Sequence, residues 1–245
     1  GLKTAVIGED VTYISEHAFD SCSNLTTLTL MDSITDISAN AFTSCNKIIE
    51  VYDLTNLDLT TNKSKYNGIG LAKVIYTSLS SPSIIKTSGD YEYFSYNGTN
   101  YLLLYTGTEK NITLPTSLGG GDYEIYSCAF YGNDIIESVN VPNGVTKIGE
   151  SAFRQCPNLK EVNVSGEVEY IDIWAFEGSK NLATVVLEEG VKEIGGSVFS
   201  NSGVLNLVIP ESVVSIGASS NFPALEYVDG VAYVDNWVFI PTNLI

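Results

Sequence analysis

In residues 144–164, GVTKIGESAFRQCPNLKEVNV, the apolar positions follow neither a helical period nor a long alternation. They belong to a longer pattern that recurs. Phe19 and Phe42 define a 23-residue interval, and Phe130, Phe153, Phe176, Phe199 and Phe222 follow one another at the same spacing. Five residues before most of these rings lies an isoleucine (Ile14, Ile37, Ile125, Ile148, Ile171, Ile194). A small residue, usually alanine, directly precedes the ring. Six residues after it comes Leu or Ile, as in Leu25, Ile48, Ile136, Leu159 and Leu182, and a short alternation such as Leu159, Val162, Val164 follows.

Self-similarity at a fixed interval of this length predicts a solenoid. Each unit reads as a short strand, a turn marked by Pro or Gly (Pro142-Asn143-Gly144), a second extended piece and a tighter turn around Ala-Phe. One unit cannot bury its own apolar face. Stacked units form parallel ladders about 4.8 Å apart and share a continuous core. The phenylalanines are expected to form an aromatic column inside. Between Asn201 and Phe222 the strand begins one residue early and Ile216 stands six residues before the ring instead of five, so the 23-residue pitch survives. Stacking explains this, because every turn must return to meet its neighbour.

The stretch from Phe42 to Phe130 falls four positions short of four full periods. Residues 1–54 and 111–245 therefore read as solenoid. Residues 55–110 read as a β-rich insert within one continuous domain, with strands at 72–77, 91–96 and 101–106 and a hairpin turn at Asn97-Gly98. Eight of the 15 tyrosines fall between positions 91 and 131. That density makes Tyr93 and Tyr101 candidates for partner binding, although tyrosines also pack well in ordinary strands. The C-terminal stretch LEYVDGVAYVDNWVFIP is expected to close that end with a hairpin over 230–241. The chain starts inside a unit, so an upstream signal or anchor segment is expected to have been removed, with Gly1 as its scar.

Charge narrows the partners. The chain has 29 Asp+Glu against 12 Lys+Arg, a formal net charge of -17, and Arg154 is its only arginine. Nucleic acid and anionic membrane surfaces are disfavoured. No apolar run approaches the roughly 18 residues of a membrane span.

The segments VTKIGESAFRQCPNLKEVNV, VEYIDIWAFEGSKNLATVVL and VTYISEHAFDSCSNLTTLTL resemble the BspA-like leucine-rich repeat family, the treponemal class of 23-residue repeats. The resemblance covers about residues 5–54 and 112–225. With it, the expected fold is a mostly β repeat solenoid: a right-handed leucine-rich-repeat-type coil with parallel β ladders, interrupted by the insert. It implies a non-catalytic, extracellular or cell-surface adhesion module of bacterial origin that binds a protein or glycan, here expected to be monomeric. The alternative is a structural spacer displaying another domain of a longer surface protein. The family motif is structural and carries over no binding residues.

Chemistry beyond that is sparse. Cys22, Cys45 and Cys156 share the column three residues after the ring, where Asn133, Ser179 and Ser202 stand in other units. A column accepting Cys, Asn or Ser fits small buried groups and free thiols better than a disulfide, since side chains on adjacent coils point parallel. There are no CxxC pairs, and His17, the sole histidine, occupies a turn position held elsewhere by Asn40, Ser151 and Trp174. No triad can be assembled on it. Glu188-Glu189 reads as a solvated turn rather than a glycosidase pair. Leu118–Asp122, LGGGD, reads as a slack turn. The five Asn-x-Ser/Thr sequons suit Asn-rich turns. No catalytic residue, cofactor or metal site is expected. The remaining candidates are outward residues of the first strand, chiefly Tyr52, Asn140 and Asn163.

Overall fold

The structure, a computed structural model, describes residues 1–217 apart from 205 and 208. The expected hairpin at 230–241 and Phe222 lie outside the described residues. The chain divides into two units, 1–86 and 87–245, so the boundary falls inside the 55–110 segment.

Unit 1 contains β1 (Thr4–Ile7), β2 (Tyr13–Ile14), β3 (Thr27–Leu30), β4 (Asp36–Ile37), β5 (Glu50–Asp53), a short helix α1 (Leu59–Asn62) and β6 (Val74–Tyr76). β1, β3, β5 and β6 form one parallel ladder, and β2 and β4 another. Leu28 pairs with Ala5 on one side and Val51 on the other, each one full period away. The next rung, Val51 with Ile75, is longer by a single position. The ladder thus continues one coil past residue 54, but that coil carries α1 and two 3-10 turns (Lys63–Lys65, Ile69–Leu71) where the others carry Ala-Phe. Leu59, Tyr66 and Ile69 bury into the unit's core from this helical path. The coil lacks the phenylalanine, which hides it from a search by ring spacing.

At the junction and in unit 2 come β7 (Ile85–Ser88), β8 (Tyr91–Tyr96), β9 (Thr99–Tyr105), β10 (Asn111–Thr113), β11 (Tyr123–Ile125), β12 (Ser138–Val141), β13 (Val145–Ile148), β14 (Glu161–Val164), β15 (Tyr170–Ile171), β16 (Thr184–Leu187), β17 (Glu193–Ile194), β18 (Asn206–Leu207) and β19 (Ser215–Ile216). One parallel sheet runs β10-β12-β14-β16-β18. A second runs β19-β17-β15-β13-β11-β9-β8-β7. The antiparallel β8–β9 hairpin turns at Asn97 and Gly98, both at positive φ, and its second strand lies parallel to β11 as the next rung. The slip after Asn201 appears in the register: Leu207 pairs with Val185 and Ile216 with Ile194, each rung one position shorter than the usual period.

The aromatic column is present in both units. Phe130, Phe153, Phe176 and Phe199 stack at 4.6, 5.4 and 5.5 Å between centroids, with interplanar angles of 14° or less. Tyr105 of the hairpin extends this column at 6.2 Å from Phe130. In unit 1 Phe19 stacks on Phe42 at 5.0 Å. A second device locks the coils. Except at Asn40, before Phe42, the residues two before and two after the described rings take left-handed backbone, as at Ser151 and Gln155 or Trp174 and Gly178. This turns alternate amides along the solenoid axis. The Ser151, Phe153 and Gln155 N–H groups donate to Ile173, Ala175 and Glu177 carbonyls of the following coil. On the strand side the direction reverses, with Lys160 N–H donating to the Glu137 carbonyl of the preceding coil. Each coil is therefore hydrogen-bonded around much of its perimeter, which satisfies backbone groups that packing would otherwise bury unpaired.

Three residues after the ring, the small polar column has a specific task. The Cys45 and Cys156 thiols and the Ser179 hydroxyl donate to the carbonyls of Phe19, Phe130 and Phe153, the ring residues of the preceding coils, at 3.0, 3.1 and 2.8 Å. The four cysteines are free. Cys22 is only half-buried, against the expectation of burial at that column, while the other three are buried.

Candidate functional site

The strand face expected to carry partners behaves differently in the two units. In unit 2, alternation puts Val139, Val141, Val162 and Val164 into the core and turns their neighbours outward. Register brings Thr113, Asn140, Asn163 and Val186 into one row across β10, β12, β14 and β16. Asn140 and Val186 are exposed; Asn163 is half-buried and its Nδ2 donates to Glu161 Oε1 at 3.1 Å. Along one margin, Glu137 lies between Lys110 and Lys160 at 2.8 and 2.5 Å. Hydrogen bonds from those two ammonium groups hold its carboxyl down at about 2. The face is thus a shallow, mixed surface of amides, hydroxyls and a short alternating charge row.

In unit 1 the equivalent face is covered at its β5 and β6 end, while Val6 on β1 stays exposed. Thr26, Thr29, Ile49 and Glu50 are buried there. Over β5 and β6 the cover is residues 81–84, hydrogen-bonded to Glu50, Tyr52 and Tyr76. Ser83 Oγ lies 2.9 and 3.0 Å from the two Glu50 carboxylate oxygens, and Ile84 N–H donates to Oε2 at 3.1 Å. Thr27 Oγ1 donates to Oε1 from the other side. The Tyr52 hydroxyl donates to the Ser81 carbonyl at 3.3 Å, and that of Tyr76 to Pro82 at 2.9 Å. The two tyrosine rings lie 5.0 Å apart. Burial, and then the Glu50 charge, raise both phenol pKa values, so both hydroxyls stay protonated donors.

The other candidates are scattered. Tyr93 packs against the core of unit 2 from β8. Tyr101 lies on the other face of the hairpin, stacked on fully buried Phe94 at 5.0 Å and edge-on to Tyr126 at 5.7 Å. Asn140 and Asn163 are adjacent; Tyr52 belongs to unit 1. Glu50 stands with Tyr52 on the outward strand face; Tyr76 and Ser83 were missed because no repeat marks them. Their only signal is that Glu50 and Tyr52 stand on one strand two residues apart. Unit 1 also has a groove of about 480 Å³ whose lining includes Glu9, Asp32, Asp53 and Asp58. Two of its carboxylates serve the loop: Asp53 accepts the Thr55 and Leu59 amides, and Asp58 the Thr60 and Thr61 hydroxyls. No group of His, Cys, Asp or Glu placed to hold a metal occurs among the described residues.

Parallel ladders at a near-constant pitch, an inner aromatic column and an inter-coil amide network define a solenoid of the leucine-rich-repeat type. The family follows from the residues that build it: a model of the BspA type leucine rich repeat region matches residues 1–97 and 99–224 in 6 copies, and the chain belongs to that family. Among solved structures it is similar to the leucine-rich repeat protein of T. pallidum, at 27% identity and a TM-score of 0.51, over 54% of this chain and 64% of that one. The leucine rich cell surface protein of Faecalibacterium prausnitzii A2-165 matches at 22% identity and a TM-score of 0.34, over 62% of this chain and 58% of that one. The pneumococcal vaccine antigen PcpA matches at 19% identity and a TM-score of 0.43, over 65% of this chain and 54% of that one. The last two superpose too loosely to add to the fold. This chain spans slightly less than two thirds of the T. pallidum protein's length. No curated protein sequence matches it.

Proposed function

We propose that this chain is a non-catalytic binding module of a bacterial surface or secreted protein, engaging a protein or glycan through the face of β10, β12, β14 and β16. The observation that carries the reading is the contrast between the units. The same strand face is occupied by the chain's own residues over β5 and β6 in unit 1 and open in unit 2. Family membership supports a binding role, since repeats of this type serve as scaffolds whose outward positions are free to vary. A face of amides and hydroxyls fits a polar partner, and the Lys110–Glu137–Lys160 row adds charge that orients it. No helix among the described residues is long and apolar enough to cross a membrane.

The test is an array of glycans and extracellular proteins, probed with the chain and with a variant carrying Asn140→Ala, Asn163→Ala and Val186→Lys. Loss of the hits in the variant supports the face. Hits that survive it but disappear with Tyr101→Ala would move the site to the hairpin and overturn this reading.

A further inference from the structure

The segment lying across unit 1 shows which chemistry that face accepts. Three of its contacts are made through main-chain groups: the carbonyls of Ser81 and Pro82 accept hydrogen bonds from the two phenols, and the amide of Ile84 donates to Glu50. One side chain is read, the Ser83 hydroxyl, which faces both oxygens of the Glu50 carboxylate. The site itself is built on strands. Tyr52 and Glu50 are fixed in β5 and Tyr76 in β6, both held by the parallel ladder. The covering segment is held much less firmly. Residues 77–80, Pro82 and Ser83 are exposed, and Leu79 keeps 55% of its surface in solvent. A segment with few buried apolar contacts, fastened by a handful of hydrogen bonds, opens at far lower cost than the sheet beneath it.

We propose that Glu50, Tyr52 and Tyr76 form a binding site for a Ser-Pro-containing peptide segment of another protein, occupied in cis by residues 77–84. The required ligand follows from the donors. Two successive carbonyls must meet the two phenols, and a serine or threonine hydroxyl must follow at the carboxylate. Proline, which follows the Ser78–Ser81 turn, has a fixed φ and lacks an N–H that would need a partner. A phosphorylated serine is excluded, because its charge would meet the Glu50 carboxylate. The tethered segment competes at an effective concentration of order mM. A free peptide therefore binds only when the tether is loosened or a partner presents many copies. This site lies on a different unit from the open face, so either can fail without the other.

The probe is a fluorescent peptide of sequence TSLSSPSIIK, copied from residues 77–86, measured by anisotropy against the full chain. Ser83→Ala with Ile84→Pro removes both links to Glu50 and releases the segment. The released chain should bind the peptide at least about tenfold more tightly than the unchanged chain. Tyr52→Phe with Tyr76→Phe in the released background should abolish the gain, and the peptide phosphorylated at its last serine should not bind. No gain on release, or a gain indifferent to the tyrosines, overturns the proposal. Hydrogen exchange on the unchanged chain gives a reading that does not depend on the variants folding. The Ile84 amide should exchange well before that of Val51; equal protection would make the segment a fixed part of the fold and overturn the proposal as well.

Discussion

Replacing Phe153 by alanine tests the stacked interior most directly. The ring is fully buried and lies between Phe130 at 4.6 Å and Phe176 at 5.4 Å. Truncation removes its transfer free energy and leaves a cavity, together about 3–5 kcal/mol. Both stacking contacts go with it, and each such pair contributes roughly 0.5–1.5 kcal/mol beyond area burial. Phe19 is the internal control, since it is only half-buried and among the described residues its ring stacks on Phe42 alone. Phe19→Ala should therefore cost clearly less, about 1–2 kcal/mol. The assay is urea unfolding followed by circular dichroism on the full chain, with Phe153→Leu as a replacement that keeps most of the volume. Because each coil contacts mainly its neighbours, Phe153→Ala should also broaden the transition, as the solenoid splits around the weakened coil. A loss below about 1 kcal/mol, or one equal to that of Phe19→Ala, would refute the idea that the column carries the core.

Further predictions concern single positions and pH. Gly190→Ala should cost roughly 2 kcal/mol or more in thermal or urea unfolding, because φ is +125° there and a Cβ would sit 1.9 Å from the Gly166 carbonyl oxygen. Ellman's reagent at pH 8 should titrate Cys22 quickly in the folded chain and leave Cys45 untouched, since burial, and then the neighbouring Cys22, push the Cys45 thiol up to about 12; peptide mapping assigns the labelled sulfur. Burial likewise raises Tyr91 and Tyr126 to about 12, and raises Tyr123 as well. The folded chain then keeps protons that the unfolded chain releases near pH 10. Stability should fall as pH rises from about 10 to 12, seen as a lower urea midpoint at pH 11 than at pH 9; an unchanged midpoint would count against burial of these phenols.

The pitch, the aromatic column and the single-residue slip near Asn201 were legible in the sequence because a ladder imposes the same demand at every rung, so it writes the same residue types at the same interval. Features that occur once were not legible. The coil containing Leu59, Tyr66 and Ile69 fills its share of the core from helical turns and dispenses with the phenylalanine that marks the others. Tyr105 joins the column as a different aromatic, and it stands two positions too far ahead of Phe130 to match the period. The left-handed positions flanking the rings are taken by Ser, Cys, Gln, Asn, Gly, His17 and even Trp174, a mixture too varied to read as a backbone requirement. For the candidate site, outward placement of Asn140 and Asn163 followed from alternation. The covering of Tyr52 did not, because the Ser81 group that meets it is far along the chain and is gripped through its main chain, where residue identity leaves little trace.

The path from Val51 to Ile75 is one position longer than that from Val162 to Val185, and the path from Val185 to Leu207 is one position shorter. The step height along the stack is common to all, set by hydrogen bonds, whereas the girth of a loop is adjustable by a codon at a time. A gene encoding such a molecule can gain or lose single amino acids at its bends without shearing the layers apart. Length variation is absorbed where it arises and never travels down the column.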